Sequence, residues 1–194
     1  MGVARKLYTR QTDKNAPHNL TVDLNALTNT LTGMSGAKDM GWTFSDVAAT
    51  GGTQTTSFSA KWPASRVGAE WDATNNAWVV SLDGTPASDA VTNLPLFAKN
   101  IIVQFVDQLA DSGFQDKNGN KTPLIQSVGS GEAVVMRDGQ RFEATWSRAM
   151  ASDSTTYTVG SSAYVFAPGQ TWVLFVPKTY PVTFDPETSP TPGT

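Results

Sequence analysis

The residues of this chain that could contact a ligand are few, and they lie in predicted loops. His18 is the only histidine and stands next to Asn19, while Asp89 and Asn100 lie in loops beside predicted strands. Binding sites are often built from polar loop residues that a rigid set of strands positions. We therefore select His18, Asn19, Asp89 and Asn100 as candidate ligand-binding residues, and we assign no catalytic residue.

The residue types give little support to common hydrolytic sites. No GxSxG nucleophile elbow occurs. The chain does contain the residue types of a Ser-His-Asp arrangement, in which His18 would have to be the histidine. A lone histidine excludes zinc sites built on two histidines, and the lack of cysteine excludes thiol catalysis and thiolate metal sites. The glutamates lie in different segments, so carboxylates for glycoside hydrolysis cannot be paired. The sequence therefore predicts neither a metal site nor a cofactor.

Two short motifs are interpreted as turns rather than as ligand sites. Asp116–Asn120 begins like a calcium-binding loop, but Lys121 and Ser127 stand where that loop needs glycine and glutamate. Gly129–Gly131 lacks the Lys-Ser/Thr that follows in a phosphate-binding loop, and it precedes a predicted strand. The first motif is predicted to be a turn tip and the second a bend at the start of a strand.

Composition and charge narrow the class of protein. The chain has 194 residues, enough for one generous domain or a domain with an appendage. Its 16 glycines and 11 prolines indicate many short strands joined by tight turns. The net charge is −3 and no basic stripe is visible, so nucleic-acid binding is not predicted. No apolar run reaches the roughly 18 residues of a spanning helix, so any membrane association is expected through a lipid anchor alone.

The first quarter of the chain differs from the rest. A leucine recurs every three or four residues across Leu20–Leu31, which is helical spacing, and Asp23 is placed to cap a helix there. We expect residues 1–50 to be a helical and loop segment that remains from a preceding domain. Residues 51–185 are predicted to form a β-rich C-terminal domain, and residues 186–194 a disordered, proline-rich tail.

Strand signals dominate the remainder of the sequence. Ile101–Val106 is almost continuously apolar, as expected for a central strand that is covered on both faces. Asp138–Gly139 predicts a two-residue hairpin turn that pairs Val135 with Phe142. The fold class is therefore predicted as mainly β, an antiparallel sandwich or barrel-like sheet with a short N-terminal helical segment.

The six tryptophans allow two interpretations. Trp146 and Trp172 lie in predicted strands and are interpreted as core residues. The other four cluster between residues 42 and 78, and some of them could form exposed platforms for sugars or for a partner protein. Core packing is the simpler interpretation for each one.

Several segments of the chain, taken together, resemble one family. They read RQTDKNAPHNL at Arg10–Leu20, AKNIIVQ at Ala98–Gln104, GSGEAVVMRDGQRFEATW at Gly129–Trp146 and APGQTWVLFVP at Ala167–Pro177. On these segments the chain resembles the YerB-like family of bacterial lipoproteins of unknown function. The resemblance covers most of the chain and implies a two-domain envelope protein that a lipidated N-terminal cysteine tethers to the membrane.

The resemblance also implies an extracytoplasmic location, with two departures from the family pattern. The chain has no cysteine, so it resembles only the C-terminal domain and the end of the preceding one, without the lipid anchor. In the family, a Pro-His-x-Asp motif follows an Asn/Asp-Gly turn. Here the turn is Asp83–Gly84 and the motif is Pro86–Asp89, in which Ala87 replaces the histidine. A structural or binding role is therefore expected for this loop rather than a catalytic one.

Three hypotheses for the function follow. The leading one is a non-enzymatic extracytoplasmic binding or interaction domain, whose partner is a cell-wall polymer or an envelope protein. The second is a hydrolase of an envelope glycan or ester, with a site drawn from His18, Asp89, Lys99 and Asn100. The third is a purely structural domain that supports a missing N-terminal region.

Overall fold

The structure, a computed structural model, describes residues 7–16, 19–33, 36, 38–109 and 112–185. The chain divides into two compact units, Met1–Asp39 and Met40–Thr194. The sequence predicts a boundary after residue 50, whereas the structure assigns residues 40–50 to the second unit. The predicted disordered tail at 186–194 lies outside the described residues.

The first unit contains an antiparallel hairpin and a short helix. The hairpin strands are β1 (Tyr8–Arg10) and β2 (Leu20–Val22), and helix α1 spans Leu24–Thr30. The Asp23 side chain accepts a hydrogen bond of 2.9 Å from the backbone N–H of Ala26, which satisfies a donor of the first helical turn. The predicted short N-terminal helix is confirmed. It begins at Leu24 rather than at Leu20, because Leu20, the first leucine of the predicted repeat, pairs with Arg10 in the hairpin.

The second unit is built of strands joined by turns and loops. Its strands are β3 (Thr43–Phe44), β4 (Thr53–Gln54), β5 (Ser57–Trp62), β6 (Ser65–Asp72), β7 (Ala77–Leu82), β8 (Thr85–Pro86), β9 (Phe97–Ala98), β10 (Asn100–Leu109), β11 (Leu124–Gln126), β12 (Gly129–Arg137), β13 (Gln140–Arg148), β14 (Thr156–Val159), β15 (Ser162–Ala163), β16 (Val165–Phe166), β17 (Thr171–Pro177) and β18 (Val182–Asp185). Across the part of the chain that the structure describes, no helix has the length and apolar character needed to cross a membrane.

Two sheets make up most of the second unit. The larger has the order β11-β10-β12-β13-β14-β15, with β17 beside β10 and β4 beside β13; the smaller has the order β18-β5-β6-β7-β8, with β9 beside β7. Their strand pairs are antiparallel except for β10 and β17, which run parallel. A further parallel pair, β3 with β16, ties residues 40–50 to the second unit. The predicted mainly β, antiparallel class is confirmed, and within the described residues the sheets do not close into a barrel.

One face of the larger sheet packs against the smaller sheet. Ile101 and Val103 of β10 share a buried cluster with Phe58 and Trp78 of the smaller sheet. Burying a side chain of this kind contributes about 1.5–3 kcal/mol. The two sheets therefore form a sandwich around this cluster.

The opposite face of the larger sheet carries a second buried cluster. Ile102 and Val106 alternate with the previous pair along β10, and they pack with Phe142, Trp146 and Tyr157. Strand β10 is therefore covered on both faces, as its apolar run predicts.

The tryptophans contribute to these two clusters. Trp78 and Trp146 are buried. The remaining four are partly buried against one cluster or the other: Trp42, Trp62, Trp71 and Trp172. Core packing thus accounts for the tryptophan content of the chain.

Candidate functional site

The candidate site is built on the hairpin of β12 and β13. Its turn, Asp138–Gly139, has φ angles of 53° and 70°, as in the type I′ turns that match the twist of paired strands. Val135 lies opposite Phe142, as the sequence predicts. Because side chains alternate between the faces of a strand, Arg137 lies on the same face as Val135.

Arg137 is a buried cation with a carboxylate beside it. Its side chain is 2% exposed, and its Nε donates a hydrogen bond of 2.7 Å to Asp138 Oδ2. Nη1 donates to the carbonyl of Val165 at 2.9 Å. Nη2 donates to the carbonyls of Ser45 and Val47 at 3.2 and 2.9 Å. A buried charge is tolerated when it is paired and hydrogen-bonded, and Arg137 meets both conditions.

The same hairpin holds the segment 45–52, which we call the 45–52 loop. The Ala49 N–H donates to Asp138 Oδ2 at 2.9 Å. The Gln140 side chain donates to the Ala49 carbonyl at 2.8 Å and accepts from the Gly52 N–H at 3.1 Å. The loop is thereby fixed to the turn end of the hairpin, so the wall that it forms is present before any ligand binds.

A cavity of about 450 Å³ lies between this loop and the hairpin, and we call it the Arg137 cavity. Ligand pockets in proteins commonly span about 300–1,000 Å³, so its size suits a small ligand or one unit of a polymer. Its lining residues are Ser45, Val47, Ala48, Ala49, Thr50, Gly51, Arg137, Phe142, Val159, Ser162, Ala163, Tyr164 and Val165.

Tyr164 is a lining residue whose hydroxyl is buried. Its side chain is 8% exposed, and its ring centroid lies 5.5 Å from that of Phe142. Among the described residues, the hydroxyl has no hydrogen-bond partner. Burial raises the pKa of Tyr164 above its ordinary value, while Arg137 opposes this rise and Asp138 adds to it. The hydroxyl therefore keeps its proton at neutral pH, and it is enclosed by the protein rather than open to the cavity.

The lining favours recognition over acid–base chemistry. Its polar residues are Arg137, Tyr164, Ser45, Thr50 and Ser162, and the rest of the wall is mainly alkyl and aromatic. The described lining residues include no histidine, cysteine, aspartate or glutamate. In the ranges that the structure covers, no group of three or more such side chains is placed to hold a metal ion. The arrangement can hold an uncharged group through hydrogen bonds and apolar contact.

Two of the predicted site residues, His18 and Asn19, belong to the first unit. His18 lies outside the described residues. Asn19 lies in the first unit, where its Oδ1 accepts from Arg10 Nη1 at 2.5 Å and its Nδ2 donates to the Gln11 carbonyl at 3.0 Å. A ligand-binding role for His18 and Asn19 stays a prediction.

Asp89 is engaged with its own turn and does not line the Arg137 cavity. Its Oδ1 accepts from the backbone N–H groups of Val91 and Thr92 at 3.0 and 2.7 Å, and from the Thr92 hydroxyl at 2.9 Å. The bonds from Thr92, followed by that from Val91, hold the pKa of Asp89 below its ordinary value. Short polar side chains commonly stabilise turns in this way, so a structural role accounts for these contacts.

Asn100 is a buried connector between two segments. It is 1% exposed, and it does not line the Arg137 cavity. Its Nδ2 donates to the Ala167 carbonyl at 2.8 Å and to Thr171 Oγ1 at 2.9 Å, and its Oδ1 accepts from the Ala167 N–H at 2.8 Å. These bonds join the start of β10 to the segment that leads into β17.

We expect Asn100→Ala to lower the free energy of unfolding by about 2–3 kcal/mol, because it leaves buried backbone groups of Ala167 without a partner. Urea denaturation followed by tryptophan fluorescence measures this change. Asn118→Ala, at an exposed position, is the control and is expected to change stability by no more than about 0.5 kcal/mol. Equal stabilities of the two variants would contradict the connector role.

Arg137 and Tyr164 are not among the residues that the sequence singles out. A signal for Arg137 does exist, because it continues the inward-facing series of Ala133 and Val135 along the predicted hairpin. A charged residue at an inward position indicates either a buried ion pair or a site. Tyr164 carries no comparable signal, since buried tyrosines are common.

Comparison with known proteins identifies the family of this chain and a solved structure with a similar fold. The family model described as "Protein of unknown function (DUF3048) C-terminal domain" matches residues 58–173, which include Arg137 and Tyr164 but not the 45–52 loop. The crystal structure of the YerB protein from Bacillus subtilis is similar, with a TM-score of 0.69 and 16% identity. The match covers 91% of this chain and 59% of that chain. No curated protein matches the chain. At this identity the likeness to YerB shows the fold.

Proposed function

Because the chain belongs to the DUF3048 C-terminal domain family, whose function is unknown, we propose a role for it from the Arg137 cavity. We propose that the second unit is a non-enzymatic binding domain of the bacterial cell envelope, acting outside the cytoplasm. The YerB-like resemblance that the sequence indicates is confirmed. The envelope location and a lipid anchor outside this sequence are part of the proposal and rest on that resemblance.

The observation that carries the proposal is the Arg137 cavity itself, whose wall is held in place by the bonds of Asp138 and Gln140 to the 45–52 loop. Arg137 on the same lining has its charge balanced by Asp138 at 2.7 Å. Thr50 and Ser162 are exposed residues of the lining, and their hydroxyls can bond to a ligand. This arrangement is suited to holding a ligand, and the lining needs no reacting group to do so.

The size of the cavity favours a polymer unit over a protein surface as the ligand. Stable protein–protein interfaces bury on the order of 1,200–2,000 Å² of total surface, far more than one small cavity provides. A cavity of about 450 Å³ instead accepts one small group of a repeating chain. We therefore propose a cell-wall polymer as the partner, with an envelope protein as the alternative.

Co-sedimentation with bacterial cell-wall sacculi tests this proposal. The purified chain is expected to pellet with sacculi in a saturable manner. Ala163→Phe places a large side chain on the cavity lining and is expected to weaken pelleting by about tenfold or more. Ala149→Phe makes the same change at an exposed position outside the lining and is expected to pellet like the wild type.

The outcomes of this assay separate the hypotheses. Absence of pelleting by the wild type would contradict a wall-binding role and favour a protein partner or a structural role. If Ala163→Phe and Ala149→Phe weakened pelleting equally, binding would be assigned to a surface other than the Arg137 cavity. Release of sugar or ester products from the sacculi would contradict the non-enzymatic proposal and favour the hydrolase hypothesis.

A further inference from the structure

Strand β17 forms an open edge of the larger sheet. It pairs with β10 on one side, and within the described residues no strand pairs with its other side. It has seven residues, whereas the other strands at the edges of the two main sheets have two to four: β4, β8, β9, β11, β15 and β18. Because long open edges invite pairing with another chain, proteins usually shorten or protect them. The open edge of β17 therefore calls for a partner strand.

This edge presents the backbone groups of alternate residues. The residues that flank the strand both bond to β10: the Gln170 carbonyl accepts from an N–H group at 3.2 Å, and the Lys178 N–H donates to a carbonyl at 3.1 Å. Since backbone groups alternate in direction along a strand, the even-numbered residues of β17 bond to β10. The N–H and C=O groups of Thr171, Val173 and Phe175 therefore point away from β10.

The open edge has defined ends and carries no charge. Pro177 has no N–H to donate, and its carbonyl accepts a bond of 2.8 Å from the turn that follows. At the other end Gly169 has a φ angle of 130°, which is outside the strand conformation. Thr171–Val176 includes no charged residue, and the side chains of Val173 and Phe175 are 36% and 40% exposed. The edge is thus a short, uncharged and partly apolar pairing surface.

We propose that two copies of this chain join through β17, antiparallel to each other, about a two-fold axis at Val173. In this register Val173 faces Val173 of the second copy, and Thr171 faces Phe175 of the second copy in both directions. All three outward residues then exchange N–H···O=C bonds. A register shifted by two residues either way would bring in Pro177 or Gly169 instead. The edge is therefore complementary to itself, as a two-fold interface requires.

The side chains and the size of the pairing set the expected affinity. Thr171, Val173 and Phe175 lie on one face of the strand, so they meet their counterparts side by side and bury apolar surface. No like charges meet, because the strand is uncharged. Stable interfaces bury on the order of 1,200–2,000 Å² of total surface, and a single strand pair provides less. We therefore expect a reversible dimer with a Kd on the order of 10 μM.

Sedimentation equilibrium of the purified chain, between about 1 and 500 μM, tests the inference. The wild type is expected to change from monomer to dimer across this range. Val173→Lys places like charges opposite each other at the axis and is expected to raise the Kd by about tenfold or more. Val91→Lys makes the same change outside β17, at a position that is 93% exposed, and is expected to keep the Kd within about twofold of the wild type.

A mixture of two variants tests the axis itself. Val173→Glu alone is expected to weaken the dimer as Val173→Lys does. An equimolar mixture of the two is expected to restore it, because opposite charges then meet at the axis. Recovery also shows that neither variant has lost its fold. Amide hydrogen exchange of the wild type is expected to be slower at high than at low concentration for Thr171, Val173 and Phe175.

Three results would overturn the inference. A wild type that stays monomeric up to about 500 μM would leave the open edge to a strand of another protein or to residues outside those described. A dimer that Val173→Lys weakens no more than Val91→Lys would place the interface elsewhere on the chain. A mixture that fails to recover would reject the two-fold axis at Val173. Dimerisation is measured without sacculi, so this inference and the proposed wall binding fail separately.

Discussion

Arg137→Met is expected to lower the free energy of unfolding by about 3–5 kcal/mol, the range for breaking a buried ion pair. Methionine keeps much of the volume of the side chain but none of its donors. The change leaves the Asp138 carboxylate, 13% exposed, without its cation. It also removes the donors to the carbonyls of Ser45, Val47 and Val165.

Urea denaturation measures the effect, with Arg66→Met as the control. Arg66 is exposed, so its replacement is expected to change stability by no more than about 0.5 kcal/mol. A loss below about 1 kcal/mol for Arg137→Met would mean that water or another group readily replaces the guanidinium. That result would contradict the buried ion pair as a main support of the cavity wall.

Trp78→Ala is expected to lower the free energy of unfolding by about 3–5 kcal/mol, because it opens a large void between the two sheets. Trp78 is 0% exposed in the first cluster, and its ring centroid lies 5.1 Å from that of Trp71. The loss is a large share of the roughly 5–15 kcal/mol that stabilises a typical domain. Trp78→Ala is therefore a probe of folding and is unsuited to mapping a binding surface.

The control for Trp78→Ala lies on the same strand. Leu82 of β7 is 46% exposed, so Leu82→Ala is expected to cost less than about 1 kcal/mol. Thermal unfolding followed by far-ultraviolet circular dichroism compares the two variants with the wild type. A smaller loss for Trp78→Ala than for Leu82→Ala would contradict the central position of Trp78 in the sandwich.

The features that could be predicted from the sequence are those with local causes. The Asp138–Gly139 turn and the pairing of Val135 with Phe142 follow from a two-residue signal and the alternation of side chains. The burial of β10 on both faces follows from its apolar run. Its parallel pairing with β17 has no such signal, because parallel strands are joined by long connections rather than by a tight turn.

The candidate site depends on contacts between distant segments, which explains why the sequence does not reveal it. Arg137 bonds to the carbonyl of Val47, a residue 90 positions away, and no local pattern announces that contact. The sequence identifies Asn100 as a polar residue beside a strand. Its buried side chain, however, bonds to the carbonyl of Ala167, which is 67 positions away. Polar type and position next to a strand therefore do not separate a surface contact from a buried connector.

The hydrogen bonds between the β12–β13 hairpin and the 45–52 loop also imply an order of folding steps. A β-hairpin forms in about 1–10 μs, and the β12–β13 hairpin needs only its own turn to do so. The 45–52 loop reaches Asp138 across 89 positions, so its docking waits for the intervening chain to be ordered. A chain that has formed only the hairpin possesses Arg137 but no cavity. The cavity is thus a feature that this protein acquires only after the hairpin has formed.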